Sequence, residues 1–213
     1  VVDVNNNPQN PVINFRSFGA DKLNVTAKGL AYMKGLESEH IIATAKHFPG
    51  HGDTNVDSHH DLPIITHQKS RLSDIELYPF KSLIVHGLPA IMTAHLNIPA
   101  LEPIEGLAST FSHNIVTNLL KKEMHFEGLT FTDAMEMKGA IKNFPKGEAM
   151  LKALLAGNDI LETFIDVPET VETLKAAVKN GQLPIELVNQ KVKKILMAKS
   201  WVRLDDYKPI SLD

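Results

Sequence analysis

Short apolar runs alternate along the chain with longer segments in which apolar residues recur at helical spacing. The runs predict strands at residues 1–4, 41–45, 90–95, 128–133 and 158–161, and the longer segments predict helices at 21–38, 70–86, 112–124, 146–156, from 167 onward and at 184–201. Strict alternation of this kind favours parallel strands that are joined by crossover helices. The pattern therefore predicts an α/β fold.

Polar residues stand at the ends of three predicted strands. Lys46 and His47 follow the second strand, and His95 and Asp133 end the third and fourth. In a (β/α)8 barrel the active site lies at the carboxyl ends of the strands, and such a barrel usually needs about 250 residues. We therefore expect a TIM-like (β/α)8 barrel that is N-terminally truncated, with roughly the first two βα units absent. Residues 1–202 would form the partial catalytic barrel, and residues 203–213 a tail or the start of a linker.

Composition narrows the possible functions. Hydrophobic residues make up 43% and charged residues 22%, which is typical of a globular protein. The net charge of -3 gives no reason to expect nucleic acid as a partner. The absence of cysteine excludes a disulfide scaffold, a thiolate nucleophile and a cysteine zinc site. No apolar run approaches the ~18 residues of a membrane span.

The densest polar stretch is residues 46–61, for which three interpretations stay open. Pro49 and two glycines disfavour a regular helix, so residues 49–60 are expected to form a mobile loop. The loop could be solvated without a function, or its histidines could bind a metal. It could also perform acid/base chemistry through Asp57 and His59, because a nearby carboxylate makes an imidazole a usable proton donor near neutral pH.

Two further sets of residues are candidates for chemistry. Asp133 ends a predicted buried strand, where a carboxylate could act in the reaction or could cap the next helix. Arg16, Lys46 and His47 are hydrogen-bond donors, and Lys46 would point into the mouth of the barrel. Donors that line such a mouth suit a ligand with many hydroxyl groups.

The chain resembles the bacterial β-N-acetylglucosaminidases, or β-hexosaminidases, of glycoside hydrolase family 3. The resemblance is carried by the motif Lys46-His47-Phe48-Pro49-Gly50-His51-Gly52-Asp53-Thr54, followed by Asp57-Ser58-His59. Residues 14–19, 92–95 and 130–137 extend it. It implies a retaining exo-glycosidase on a TIM-like barrel that needs no metal or organic cofactor. Its substrate would be an amino-sugar glycoside with terminal N-acetylglucosamine, such as a peptidoglycan fragment.

The resemblance also assigns roles to individual residues. Asp133 would be the nucleophile that forms a glycosyl-enzyme, and His59 would act as general acid and then as general base. Asp57 would orient His59. The donors to the sugar hydroxyls would be Arg16, Lys46 and His47, and Asp3 would lie in the same mouth among the substrate-binding residues. Because a histidine does not repel an anion as a glutamate would, phosphorolysis stays open as a side reaction.

Other interpretations remain open at this point. The chain could be a catalytically incompetent sugar-binding fragment, because the barrel would need a missing N-terminal segment of the same protein to be complete. It could also be a metal-dependent hydrolase that uses the loop histidines. The compartment stays open between the bacterial cytoplasm and the periplasm.

Overall fold

Three parallel strands form the centre of the computed structural model, which describes residues 1–55, 62–137, 144, 147–163 and 167–206. The strands are β1 (Thr44–Phe48), β2 (Ala90–Thr93) and β3 (Leu129–Thr132), in the order β1-β2-β3. Both neighbouring pairs are parallel. The predicted α/β fold with a parallel sheet is confirmed.

Helices connect and flank these strands. They are α1 (Lys22–Glu37), α2 (Lys69–Asp74), α3 (Tyr78–Val85), α4 (Asn114–Glu123, with π-type hydrogen bonds), α5 (Glu148–Ala156), α6 (Val167–Lys179) and α7 (Ile185–Trp201). Short 3-10 turns occur at Asn14–Arg16, Ser109–Phe111 and Leu204–Asp206. No helix in the described ranges is long and apolar enough to cross a membrane.

The first strand along the sheet lies further along the chain than its apolar residues predict. The expected strand was 41–45, whereas β1 runs to Phe48 and includes Lys46 and His47. Ala45 pairs with Ile91 and Phe48 pairs with Thr93, so two residues of β1 face a single residue of β2. This bulge falls on Lys46 and His47. Bulges redirect side chains and occur often beside active sites.

Two predicted strands are extended segments without regular strand pairing. In the first, Val2 N donates to Lys46 O at 2.8 Å, which holds residues 1–4 beside β1. In the second, Ile160 forms an isolated parallel bridge with Phe131. Next to that bridge, the Thr130 amide donates to the Asp159 carboxylate at 3.0 Å, so a side chain replaces a backbone partner.

The segment predicted as one helix over 70–86 is two helices. α2 ends at Asp74, and α3 begins at Tyr78 with Pro79 in its first turn. Proline suits the first turn of a helix, but it cannot supply the amide hydrogen that a helix interior needs. The second helix packs onto the sheet through Phe80, whose ring meets that of Phe48 edge-to-face at 5.3 Å. Both rings are fully buried, and each contributes about 1.5–3 kcal/mol by burial.

Candidate active site

A small polar cavity lies at the carboxyl ends of β1 and β3. Its volume is about 90 Å³, and it is lined by Val12, Arg16, Lys46, His47, His51, Asp133 and Met137. Four of the seven site residues that the sequence predicts therefore meet at one place: Arg16, Lys46, His47 and Asp133. The parallel sheet explains this for Lys46, His47 and Asp133, because parallel strands bring their carboxyl ends to the same edge, whereas Arg16 borders the cavity from the 3-10 turn Asn14–Arg16.

Asp133 directly follows β3 and is half-buried. Its backbone N–H donates to Thr93 O at 2.9 Å, which fixes its position beside the end of β2. One carboxylate oxygen accepts a hydrogen bond from the Ala134 N–H at 2.9 Å. Residues 134–137 form a turn, so within the described residues Asp133 does not cap a helix. The carboxylate is held by the backbone and borders the cavity.

Asp3 lies beneath the cavity and is fully buried. Its carboxylate accepts hydrogen bonds from the His47 backbone N–H at 3.1 Å and from the His51 backbone N–H at 2.7 Å. It also pairs with the His47 ring at Nδ1, 2.8 Å away. Its oxygens are thus used to fix the two histidines that line the cavity. Asp3 is not itself among the lining residues.

Charge and hydrogen bonding keep the Asp3 carboxylate ionised in spite of its burial. Burial alone would raise its pKa, but the His47 imidazole beside it, the hydrogen bond from that ring and the nearby His51 together hold the pKa below its ordinary value. A carboxylate that accepts several N–H groups favours its charged form. The pair therefore fixes a hydrogen on His47 Nδ1 and leaves Nε2 for other partners.

The first part of the predicted mobile loop is closely packed. His51 and Thr54 are buried, and His51 Nδ1 lies 2.8 Å from Thr54 Oγ1. Asn10 Nδ2 donates to His51 O at 2.8 Å. A Cβ on Gly52 would lie 1.9 Å from Val4 O, so only glycine allows this approach to the N-terminal segment. Residues 49–54 therefore lack the weak packing that a mobile loop would show, because neighbouring backbone and side chains satisfy their polar groups.

His95 supports the site from behind Asp133. It is buried, its Nε2 donates to Ala134 O at 3.1 Å, and its ring stacks on Phe111. Burial lowers the pKa of His95, and the negative charge of Asp133 opposes this only in part. His95 is therefore neutral near pH 7. It positions the backbone that follows the nucleophile candidate.

Arg16 and Lys46 supply positive charge at the rim. Arg16 lies in the 3-10 turn Asn14–Arg16, is exposed, and donates from Nε to Val12 O at 2.9 Å. Lys46 is half-buried within the bulge of β1. Both side chains border the cavity, as donors to a polyhydroxylated ligand would.

Two acidic side chains near the same edge were not expected from the sequence. Glu162 follows the segment that lies beside β3, and Glu136 follows Asp133 by three residues. The Thr163 hydroxyl donates to a Glu136 oxygen at 2.7 Å. The only sequence signal for Glu162 is its position directly after the apolar run that ends at Leu161. His51 was noticed as part of the histidine cluster but was not expected to line the cavity.

Asp57 and His59, the predicted acid/base pair, lie outside the described residues. Their roles therefore remain predictions from the sequence.

One group of possible metal ligands occurs among the described residues. Asp53, His67 and Glu76 each place a ligand atom within 4.8 Å of the others. The Arg71 guanidinium already pairs with Glu76 and lies 3.7 Å from Asp53. His67 also pairs with Asp53 at 2.7 Å. A metal ion would compete with the Arg71 cation for the same carboxylates, so these residues fit an ion-pair network better than a metal centre.

A larger cavity of about 270 Å³ lies between α1 and β1. Its lining is mainly apolar and shares only Arg16 with the polar cavity. Among the residues that the structure describes, its lining includes no carboxylate or imidazole side chain of the kind that glycoside chemistry requires.

Comparison with known proteins gives a consistent result. The sequence model described as the glycosyl hydrolase family 3 N terminal domain matches residues 1–198. Beta-hexosaminidase A of Pseudoalteromonas piscicida is 37% identical over 213 residues, covering 95% of this chain and 36% of that protein.

Solved structures that superpose on this chain include members of the same family. A glycoside hydrolase family 3 β-N-acetylglucosaminidase from Paenibacillus sp. str. FPU-7 superposes with a TM-score of 0.94 at 38% identity, covering 100% of this chain and 41% of the other. The beta-glucoside phosphorylase BglX superposes with a TM-score of 0.92 at 27% identity, covering 97% and 39%. The chain thus spans less than half the length of these relatives. Its fold is TIM-barrel-like α/β, and the described residues form part of that domain.

Proposed function

The chain belongs to glycosyl hydrolase family 3, and we propose that the full-length protein is a retaining exo-β-N-acetylglucosaminidase. The observation that carries the proposal is the cavity in which Asp133 meets Lys46, His47 and Arg16. Glycoside hydrolysis needs a carboxylate nucleophile next to several side chains that donate hydrogen bonds to the hydroxyl groups of the sugar. The similarity to proteins named beta-hexosaminidases supports the choice of an N-acetylated amino sugar.

In the first step the Asp133 carboxylate attacks the anomeric carbon while the bond to the leaving oxygen breaks. His59 donates a proton to that oxygen, and Asp57 orients the imidazole. The products are a covalent glycosyl-enzyme and the free alcohol. Retaining enzymes commonly use two carboxyl groups for this chemistry. In the proposed site a histidine takes the place of the second one.

In the second step His59, now neutral, removes a proton from water. The water oxygen bonds to the anomeric carbon, and the bond to Asp133 breaks. The sugar leaves with its original anomeric configuration. Two displacements at one carbon give retention, and no metal or organic cofactor takes part.

The remaining residues bind and position the sugar. Arg16, Lys46 and His47 donate to its hydroxyl groups from the lining of the cavity. Asp3 was predicted among the substrate-binding residues, and we now propose a positioning role for it, because its carboxylate holds His47 and His51 from below.

We propose fragments of peptidoglycan with N-acetylglucosamine at the non-reducing end as the natural substrates, in the bacterial cytoplasm or periplasm. The support is the match to β-hexosaminidases of bacteria. The sequence Asp57-Ser58-His59, part of the motif that resembles the bacterial β-hexosaminidases, points the same way.

The test uses the full-length protein with 4-nitrophenyl N-acetyl-β-glucosaminide and 4-nitrophenyl β-glucoside. The proposal predicts faster turnover of the acetylated sugar and, by NMR, first release of the β-anomer. Absence of turnover with a folded protein would instead favour the sugar-binding alternative. Faster turnover of the glucoside, or first release of the α-anomer, would contradict the proposal.

A further inference from the structure

Glu162 is held directly beside Asp133 by the backbone. Its N–H donates to Thr132 Oγ1 at 2.9 Å, and its carbonyl oxygen accepts from the Met135 N–H at 2.9 Å. These two partners flank Asp133 in the chain. The preceding register has the same consequence: Phe131 pairs with Ile160, so Asp133 and Glu162 each lie two residues beyond paired positions.

The charges around Glu162 show that its carboxylate shares this edge with the nucleophile candidate. Partial burial and the negative charges of Asp133 and Glu136 raise the pKa of Glu162, while the positive charge of Lys46 opposes the increase. Glu136 is tied to the neighbouring residue through the Thr163 hydroxyl. Glu162 itself is exposed, so it faces the solvent from which an acceptor molecule would arrive.

We propose that Glu162 is a specificity-determining residue that disfavours anionic acceptors, so that the glycosyl-enzyme is resolved by water and not by phosphate. The inference rests on the proposed function. It addresses a choice that the fold leaves open, since a protein named as a phosphorylase has the same fold. A histidine acid/base does not repel phosphate, whereas the negative charge of Glu162 beside Asp133 would do so.

The two outcomes differ only in the acceptor. In both, the bond between the anomeric carbon and Asp133 breaks, an acceptor oxygen bonds to that carbon, and Asp133 regains its carboxylate. With water, the acceptor proton passes to the general base and the free sugar leaves. With phosphate, an oxygen of the phosphate attacks and the sugar 1-phosphate leaves. The reactions involve no oxidation or reduction, and inorganic phosphate is the only additional reactant.

The experiment measures the partition between the two products with the full-length protein. The protein turns over 4-nitrophenyl N-acetyl-β-glucosaminide in inorganic phosphate, and separately in chloride of the same ionic strength. ³¹P NMR measures the sugar 1-phosphate, and chromatography measures the free sugar. The variants are Glu162→Gln and Glu162→Lys. The matched control is Glu172→Gln, because Glu172 is an exposed residue on α6 that pairs with Lys175.

The ratio of sugar phosphate to free sugar is expected to rise about three- to tenfold in Glu162→Gln, and further in Glu162→Lys. A change of this size is expected because the substitution removes the repulsion between one negative charge and a phosphate dianion within a Debye length of about 8 Å. Formation of the glycosyl-enzyme should change much less than the ratio, because the aryl glycoside is neutral. Glu172→Gln should leave the ratio unchanged.

Three results would overturn the inference while leaving the hydrolase assignment intact. These are an unchanged ratio in both Glu162 variants, an equal rise in Glu172→Gln, and a wild-type protein that already forms mainly sugar phosphate. A wild-type protein that turns over no N-acetylglucosaminide in either buffer would instead contradict the proposed function itself.

Discussion

The replacement of Asp3 by asparagine tests whether this buried carboxylate organises the site. Asp3→Ala would leave the donors on His47 and His51 without an acceptor, at about 1–3 kcal/mol for each buried group. Three such losses approach the whole stability of an ordinary domain, about 5–15 kcal/mol. Asp3→Asn keeps the shape and removes the charge, so it is the more informative variant.

The expected magnitude follows from the contacts of Asp3. Its oxygens accept from His47 N at 3.1 Å, from His51 N at 2.7 Å and from the His47 ring at 2.8 Å. Asparagine has one oxygen, and its amide hydrogens would face the remaining donors. We expect the free energy of unfolding to fall by about 2–4 kcal/mol, given about 1.5–3 kcal/mol for a hydrogen bond to a charged group.

Activity should fall as well, because His47 and Lys46 would shift at the cavity. A displacement of about 1 Å can lower a rate by about 10²-fold, and we expect a loss of that order in kcat/KM.

The dependence of the free energy of unfolding on pH gives a further test of the role of Asp3. The lowered pKa of Asp3 means that its carboxylate stabilises the fold above its ordinary pKa, and that this contribution is lost as pH falls through the lowered value. In Asp3→Asn the free energy of unfolding should lack this decrease at low pH.

The assay combines urea unfolding with kinetics at a temperature where the variant is folded. Asp21→Asn is the matched control, because Asp21 caps α1 by accepting from Asn24 N, and asparagine caps helices about as well. The control should change stability by less than about 0.5 kcal/mol. Wild-type stability together with wild-type kcat/KM in Asp3→Asn would refute the reasoning. Wild-type stability with a raised KM alone would place Asp3 in contact with the sugar.

Three further predictions address the acid/base pair, the fold and the metal alternative. His59→Ala should slow hydrolysis of a natural disaccharide by about 10²–10⁴-fold and should slow glycosylation by an activated aryl glycoside much less. Asp57→Ala should show a smaller loss of activity with the same dependence on the leaving group. Equal losses on both substrates would remove His59 from the acid role. Asp159→Asn should lower the free energy of unfolding in urea by about 3–5 kcal/mol, because it leaves Lys121 and Lys194 without their buried partner. Burial alone would raise the pKa of Asp159, but these lysines lower it from 3.8 to about 2. Its contribution to the free energy of unfolding should therefore be present above pH 3.8 and lost as pH falls through about 2. If the difference in free energy of unfolding between wild type and variant stays the same across that range, this expectation is contradicted. Activity should persist in EDTA, and its loss with recovery on adding Zn²⁺ would favour a metal-dependent hydrolase.

The sequence was sufficient to predict that Lys46, His47 and Asp133 lie close together, although their roles stay predictions. Lys46, His47 and Asp133 lie near the ends of apolar runs, and parallel pairing brings such positions to one edge. The apolar run itself misplaced β1 by three residues, because the polar residues Lys46 and His47 interrupt the apolar pattern before Phe48. The hydrophobic pattern identifies buried apolar residues. It gives no signal for polar strand residues such as Lys46 and His47, which line the cavity.

Other features depended on contacts between distant parts of the chain. The role of Asp3 appears only when the N-terminal segment lies beside β1, since its partners His47 and His51 are more than forty residues away. Glu162 looks like an ordinary surface acid in the sequence, and only its pairing beside β3 places it next to Asp133. The break between α2 and α3 was visible in principle, because Pro79 interrupts the helical pattern.

Identification of the nucleophile tests directly whether Asp133 forms the glycosyl-enzyme. The full-length protein would be incubated with a fluorinated N-acetylglucosamine analogue that forms a glycosyl-enzyme but releases it slowly. Digestion and mass spectrometry would then locate the attached sugar. We expect one adduct per protein on the peptide that contains Asp133, and none in Asp133→Asn, which should be folded and inactive. An adduct on another carboxylate, or near-wild-type turnover in Asp133→Asn, would contradict it.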